Sequence, residues 1–184
     1  MIPYIVLVVV ILLILLINKH MSIVREYNSV LTRIHHGENE IDELLNKKAD
    51  LLDSVCESIN NINDNRVFSS VKKVLKKNID TLKLDKDLAE IYLELKEYLL
   101  VNKSFVPEEE LQNKLNELSE LELDLEATKT FYNDNSTIFN ELLDTFPSKR
   151  VGKRKGYDYK NLYTFKEEEL FEILKKDNKK KKEA

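Results

Sequence analysis

Turn-forming residues are scarce. The 184-residue chain holds 3 Gly, 3 Pro and no Trp, too few for an all-β sandwich or barrel, which turns every ~8–12 residues. Gly37, Gly152 and Gly156 are its glycines. None stands in a phosphate-cradling pattern, which disfavours P-loop and Rossmann enzymes. A single cysteine, Cys56, excludes an intramolecular disulfide framework and any multi-cysteine metal site. Setting aside an apolar first segment and a lysine-rich tail leaves about 150 residues, the size of one domain.

What is present begins with a long apolar run. Met1 to Ile17 is apolar apart from Pro3, and Tyr4–Ile17 is unbroken. Seventeen residues at 1.5 Å each span roughly 25 Å, the lower edge of what a bilayer core of about 30 Å demands. Pro3 costs little in a first turn, and Tyr4 suits the headgroup level. A cleaved signal peptide carries positive charge before the run and small residues after it. Here no Lys or Arg precedes the run, and Asn18-Lys19-His20-Met21-Ser22 offers no small-x-small site. A buried core helix is the third reading, but so many consecutive large apolar residues at a terminus are hard to cover in a small domain. The expectation is a single-pass anchor over residues 1–18. Lys19, Arg25 and Arg33 follow the run and none precedes it. The positive-inside rule then places the body in the cytoplasm and the N-terminus outside.

Beyond the anchor, apolar residues recur in steps of three and four, the signature of amphipathic helices. The first seam is Ile23, Tyr27, Val30, Ile34, Ile41, Leu45, Leu52, Val55, Ile59 and Ile62, interrupted by Glu38 and Lys48. Lys48 is expected to lay its stem on apolar surface and keep its ammonium in water. Gly37 weakens the helix and predicts a bend. Asn60–Asn65 reads as a polar break, followed by Val67, Val71, Val74, Leu75, Ile79 and Leu82. Leu84-Asp85-Lys86-Asp87 reads as a second break with an N-cap, before Leu88, Ile91, Leu95, Tyr98 and Leu99. Pro107, followed by three glutamates, opens a last long helix. Its seam is Leu111, Leu115, Leu118, Leu121, Leu125, Thr128, Tyr132, Phe139, Leu142 and Phe146, ending before Pro147. Breaks near 63, 85 and 105 predict an all-α fold, an antiparallel bundle over 19–147. A basic and aromatic segment with a short helix follows over 148–174, then a disordered lysine-rich tail over 175–184.

Two blocks carry a family resemblance. The first is Tyr27-Asn28, then Ile41-Asp42, Leu45, Lys48, Asp50-Leu51-Leu52 and Val55. The second is Ala127 to Asn133, then Phe139-Asn140 and Thr145-Phe146-Pro147, with Gly156-Tyr157 and Phe165 beyond. Together they resemble the bacterial LemA family over roughly residues 25–166. Gly37-Glu38 replaces the family's Ala-Trp pair, and Asp53, Lys48 and Phe139 replace its proline, its arginine and its second tyrosine. The resemblance implies a membrane-anchored antiparallel bundle of four main helices, in a family whose members often neighbour membrane proteases or envelope proteins.

Catalytic chemistry is thin. His35, His36 and Glu38 raise a metal site, but adjacent histidines point about 100° apart on a helix and a solvated pair is the plainer reading. Cys56 lies about 30 Å along the same helix from either histidine, which favours a small buried cysteine over a nucleophile. No cofactor, metal or catalytic residue is expected, and the chain is not expected to be an enzyme. Tyr27, Asn28, Tyr132 and Asn133 read either as packed polar residues that set register or as a patch for a partner helix. Lys149, Arg150, Lys153, Arg154 and Lys155 lie among tyrosines, a mixture that suits nucleic acid. The net charge of −4 and the anchor favour anionic lipid instead, with plain solubility as the simplest account. The function expected is a non-catalytic structural or interaction module at the bacterial cell membrane, touching the bilayer and other envelope proteins, with a homo-oligomer open. The alternative is a lipid-charge-responsive sensor or regulator of envelope proteins or membrane proteases.

Overall fold

The computed structural model describes residues 2–62, 71, 74, 80–102 and 109–163. Four helices account for nearly all of them: α1 (Ile2–Ile62), α2 (Thr81–Val101), α3 (Glu109–Asp144) and α4 (Ser148–Lys155). The described residues contain no strand. The contacts divide into two compact units. The first joins Met1–Glu38 to Thr130–Leu162; the second comprises the described residues of Asn39–Lys129 and Tyr163–Ala184.

In the first unit, Tyr4–Ile17 is helical and exposed at every position. The helix continues without interruption into a buried stripe of Ile23, Tyr27, Val30 and Ile34. The Tyr27 and Phe139 rings meet edge to face at 5.6 Å, and ten residues further along α1 Gly37 lies beside Tyr132. Numbers rise along α1 while they fall along α3, so the two helices are antiparallel. α1 runs through Gly37 without interruption. A Cβ there would stand 3.3 Å from Tyr132 Cβ, so its bareness serves the close approach of α3.

α3 ends at Asp144, and the Phe146–Pro147 peptide is cis. Phe146 lies past the last helical turn, leaves the seam and is 69% exposed, while Leu143 is buried. The expectation that Phe146 closes the α3 seam is thereby corrected. α4 buries Val151 and Gly152 and exposes Lys149, Arg150, Lys153, Arg154 and Lys155. Gly156, at φ 70°, ends it. The Gly156 N–H donates to Lys153 O and the Tyr157 N–H to Gly152 O, both at 3.2 Å. This is a Schellman stop, which needs a left-handed residue and therefore favours glycine.

In the second unit, the buried apolar residues are Ile41, Leu45, Ala49, Leu52, Val55, Cys56 and Ile59 of α1, Leu88, Ile91, Tyr92 and Leu95 of α2, and Leu111, Leu118 and Leu125 of α3. Thr81 at the start of α2 donates to Asp42 Oδ1 at 2.8 Å, and Lys48 lies 5.6 Å from the Tyr92 ring. α2 therefore runs alongside α1 in the same direction. Asp85 pairs with Lys129 at 2.6 Å, and α3 runs opposite to α2.

Two polar expectations are overturned here. Residues 84–87 are no break: α2 begins at Thr81 and passes straight through them. No residue of the four is a cap, and Asp85 is 2% exposed and ion-paired with Lys129. Nor does Lys48 keep its ammonium in water: it is 1% exposed and its Nζ meets Glu122 Oε1 at 2.5 Å. A carboxylate from another helix removes the need to reach solvent. The break expected at Asn60–Asn65 does not begin at Asn60 or Asn61, which α1 includes; its remainder from residue 63, Pro107, the helix expected over 166–174 and the tail 175–184 lie outside the described residues.

Candidate functional site

The first unit holds a chain segment strapped onto two helices. Residues 157–162 follow α4 without regular structure, so their backbone groups need partners from side chains or water. Tyr27 supplies the join at the start. Its hydroxyl faces Leu142 O at 2.8 Å and Ser148 O at 3.1 Å, one proton shared between the end of α3 and the start of α4. Burial, with Tyr157 and Glu26 nearby, raises the Tyr27 pKa, so the phenol keeps the proton it donates. Its ring packs edge-on or tilted in a trio with Phe139 and Tyr157, with centroids 5.2–5.6 Å apart.

Further along the strap, Asn140 clamps Lys160 in both directions. Asn140 Nδ2 donates to Lys160 O at 2.9 Å, and the Lys160 N–H donates to Asn140 Oδ1 at 2.8 Å. The side-chain amide thus mimics a strand partner for a single residue. Lys160 Nζ reaches Glu38 Oε1 at 2.9 Å, and His35 Nδ1 lies 2.9 Å from Glu38 Oε2. The Tyr132 hydroxyl donates to Asn161 O at 3.0 Å. Burial raises the Tyr132 pKa as well.

Glu38 ties the strap to α1 with a charge. Burial pushes its carboxyl up, but the hydrogen bonds and charges of Lys160 and His35 outweigh burial and hold it below its usual 4.5. A lowered folded-state pKa adds stability that is complete above the unfolded value and disappears as pH falls through the folded one. Thermal midpoints measured from about pH 5 down to pH 3 should therefore fall less steeply in Glu38→Gln than in the parent. The carboxylate is a third exposed, so solvent screening keeps the difference small.

Gly152 decides how closely α4 packs. A Cβ there would stand 2.5 Å from Leu143 Cδ2 and 2.8 Å from Tyr27 Oη. Overpacking of this kind costs about 1–3 kcal/mol. Gly152→Ala should lose that much in a urea titration, although alanine is the better helix former.

Of the residues singled out from sequence, Tyr27 and Tyr132 are buried and committed to carbonyls of their own chain. Asn133 is buried and Asn28 is exposed, with its backbone carbonyl accepting Thr32 Oγ1. The four do not form one surface: only Asn28 faces solvent. The five cations of α4 are all presented outward. Asn140 and Lys160 emerge as holding residues that periodicity did not mark, while Glu38, a polar step in the α1 register, holds the strap through Lys160. Phe139-Asn140 was visible as a motif. Lys160 carried no signal, because its backbone is what Asn140 grips.

His35 pairs with Glu38, and the His36 ring stands edge to face with Phe131 at 6.4 Å. Among the described residues, no three His, Cys, Asp or Glu side chains are grouped to hold a metal ion. Burial, with Asp53 and Glu94 nearby, pushes the Cys56 thiol up to about 12; a protonated thiol is a poor nucleophile at neutral pH. The arrangement binds, caps and positions its own backbone. Comparison with protein-family models, curated proteins and solved structures finds no match.

Proposed function

We propose that the chain is a single-pass, LemA-like helical module that is tethered to the bacterial cell membrane and acts by interaction, not catalysis. The observation that carries this reading is the uncovered apolar helix. Among the described residues one helix is long and apolar enough to cross a membrane, and none of its apolar window is buried. Leaving fourteen such side chains (Tyr4–Ile17) in water forgoes on the order of 20 kcal/mol of burial. A soluble core helix would be covered. A cleaved leader would be expected to separate from the body, whereas α1 carries the apolar run directly into the buried stripe at Ile23.

The resemblance adds weight on the body side. Tyr27, Tyr132 and Asn140, which helped to carry it, all hold the strap. Lys19, Arg25 and Arg33 favour a cytoplasmic body. The partners proposed are other membrane or envelope proteins, or further copies of the chain.

Alkaline carbonate washing of membranes from cells making the full chain tests the tether. The protein should stay in the pellet, with its body shielded from protease in intact cells and digested after permeabilisation. Release into the carbonate supernatant would overturn the tether; digestion from outside would reverse the topology. Mild-detergent extracts should then yield the chain in a reproducible complex larger than itself, and a monomeric chain alone would count against the interaction role.

A further inference from the structure

The stability of α4 accounts for only some of its cations. Lys153, Arg154 and Lys155 occupy its last turn, where positive charge suits the helix dipole. Lys149 and Arg150 occupy its first turn, where no acidic residue balances them and the same dipole opposes them. All five are exposed, while Val151 and Gly152 face inward. From Asp144 to Asp158 these five cations stand against two carboxylates, and Asp144 already accepts the Tyr159 hydroxyl. A surface this basic in a chain of net charge −4 points to an anionic counterpart.

Its position says which one. α4 belongs to the same compact unit as the apolar segment and is held at the level of Tyr27 by the bonds to Leu142 and Ser148. Tyr27 is ten residues beyond Ile17, about 15 Å along the helix. The headgroup layer beyond the hydrocarbon core is roughly 5–7 Å thick. About 8–10 Å then remains between the helix level and the headgroup surface, comparable to the Debye length of about 8 Å at physiological salt. Lysine and arginine side chains shorten the gap further. Phe146, exposed at the same end, lies 5.1 Å from the Arg150 guanidinium and offers an aromatic for the interface.

We infer that α4 is an anionic-lipid cap. Its five cations engage acidic headgroups of the leaflet from which α1 emerges, and so set the height and tilt of the first unit over the bilayer. The inference rests on the membrane-spanning reading above. Phospholipid headgroups are the occupant, because α4 is held close to the membrane whenever the anchor is inserted.

The test uses the full chain as Cys56→Ser, Thr145→Cys, with a fluorophore on the new thiol. It is reconstituted in vesicles of phosphatidylcholine, or of phosphatidylcholine with phosphatidylglycerol, each containing a lipid with a nitroxide on its headgroup. Each neutralised cation should cost roughly fivefold in attraction to an acidic surface. Quenching should thus be at least about twofold stronger on the acidic vesicles and fall towards the neutral value in high salt. K149Q/R150Q/K153Q/R154Q/K155Q leaves Val151, Gly152 and Gly156 in place and should melt as the parent does, yet lose the difference between vesicles. K83Q/K86Q, on exposed positions of α2, should keep it. Equal quenching on both vesicles, or an unchanged difference in the five-fold variant, overturns the cap. Displacement of the label from acidic vesicles by single-stranded RNA at lower charge equivalents than the lipid would assign the surface to nucleic acid instead. A carbonate wash of the same vesicles separates the two failures. Release of the chain defeats the anchor and the cap together; a retained chain with equal quenching defeats the cap alone.

Discussion

Lys48→Met should destabilise the second unit by about 3–5 kcal/mol, the usual cost of stranding the partner of a buried ion pair. The lysine side chain is 2% exposed and that of Glu122 12%. With the ammonium gone, the carboxylate keeps little water and no counter-charge at 2.5 Å. Methionine fills most of the stem volume, so the loss is electrostatic and not a cavity effect. The double change Lys48→Met, Glu122→Leu removes both charges and should recover most of the loss, ending within about 1 kcal/mol of the parent or above it. Urea unfolding of the detergent-solubilised full chain, followed by helical circular dichroism, measures all three. A single variant as stable as the parent would show that Glu122 finds water or another cation. A double variant as weak as the single would show that packing, not charge, holds the site. Lys129 and Asp85 form the second such pair, and the same comparison applies to them.

Tyr27→Ala should cost about 3–5 kcal/mol in the first unit, as for other buried aromatics. The side chain is 1% exposed and does two jobs, filling the space between Phe139 and Tyr157 and serving two carbonyls. Tyr27→Phe separates them. It keeps the ring and should lose only about 1–3 kcal/mol, the penalty for leaving buried acceptors unpaired. The two variants should also differ in where they loosen. Hydrogen exchange of amides in α4 and the following strap should quicken in both, whereas α2 should be untouched, since it belongs to the other compact unit. If Tyr27→Phe matched the parent in stability and exchange, the hydroxyl would have no part in holding α4. If Tyr27→Ala loosened α2 equally, the two compact units would not open independently.

These two residues also mark how far the amino-acid order could be read. Tyr27 stood on the apolar register, and its burial follows from the 3.6-residue period of a helix with one covered face. Ile23, Val30, Ile34, Ile41, Leu45, Leu52, Val55 and Ile59 are buried for the same reason. Lys48 stood on that register too, but the period tells only which way a side chain faces. Whether a lysine facing inward snorkels or ion-pairs depends on what the opposing helix offers. Residues 84–87 read locally as a break because aspartate favours caps and turns; the buried partner of Asp85 on α3, Lys129, overrides that preference.

Local rules alone therefore determined the helical class, the apolar run, the placement of the seams and the end of α3 near Pro147, since each depends on neighbours within a few residues. Tertiary structure alone decided the tasks of Gly37 and Gly152, the two buried ion pairs and the strap held by Tyr27, Asn140 and Glu38. Those contacts join groups as far as 122 residues apart. Their energies come from desolvation and close approach, which no stretch of chain expresses until another element is packed against it.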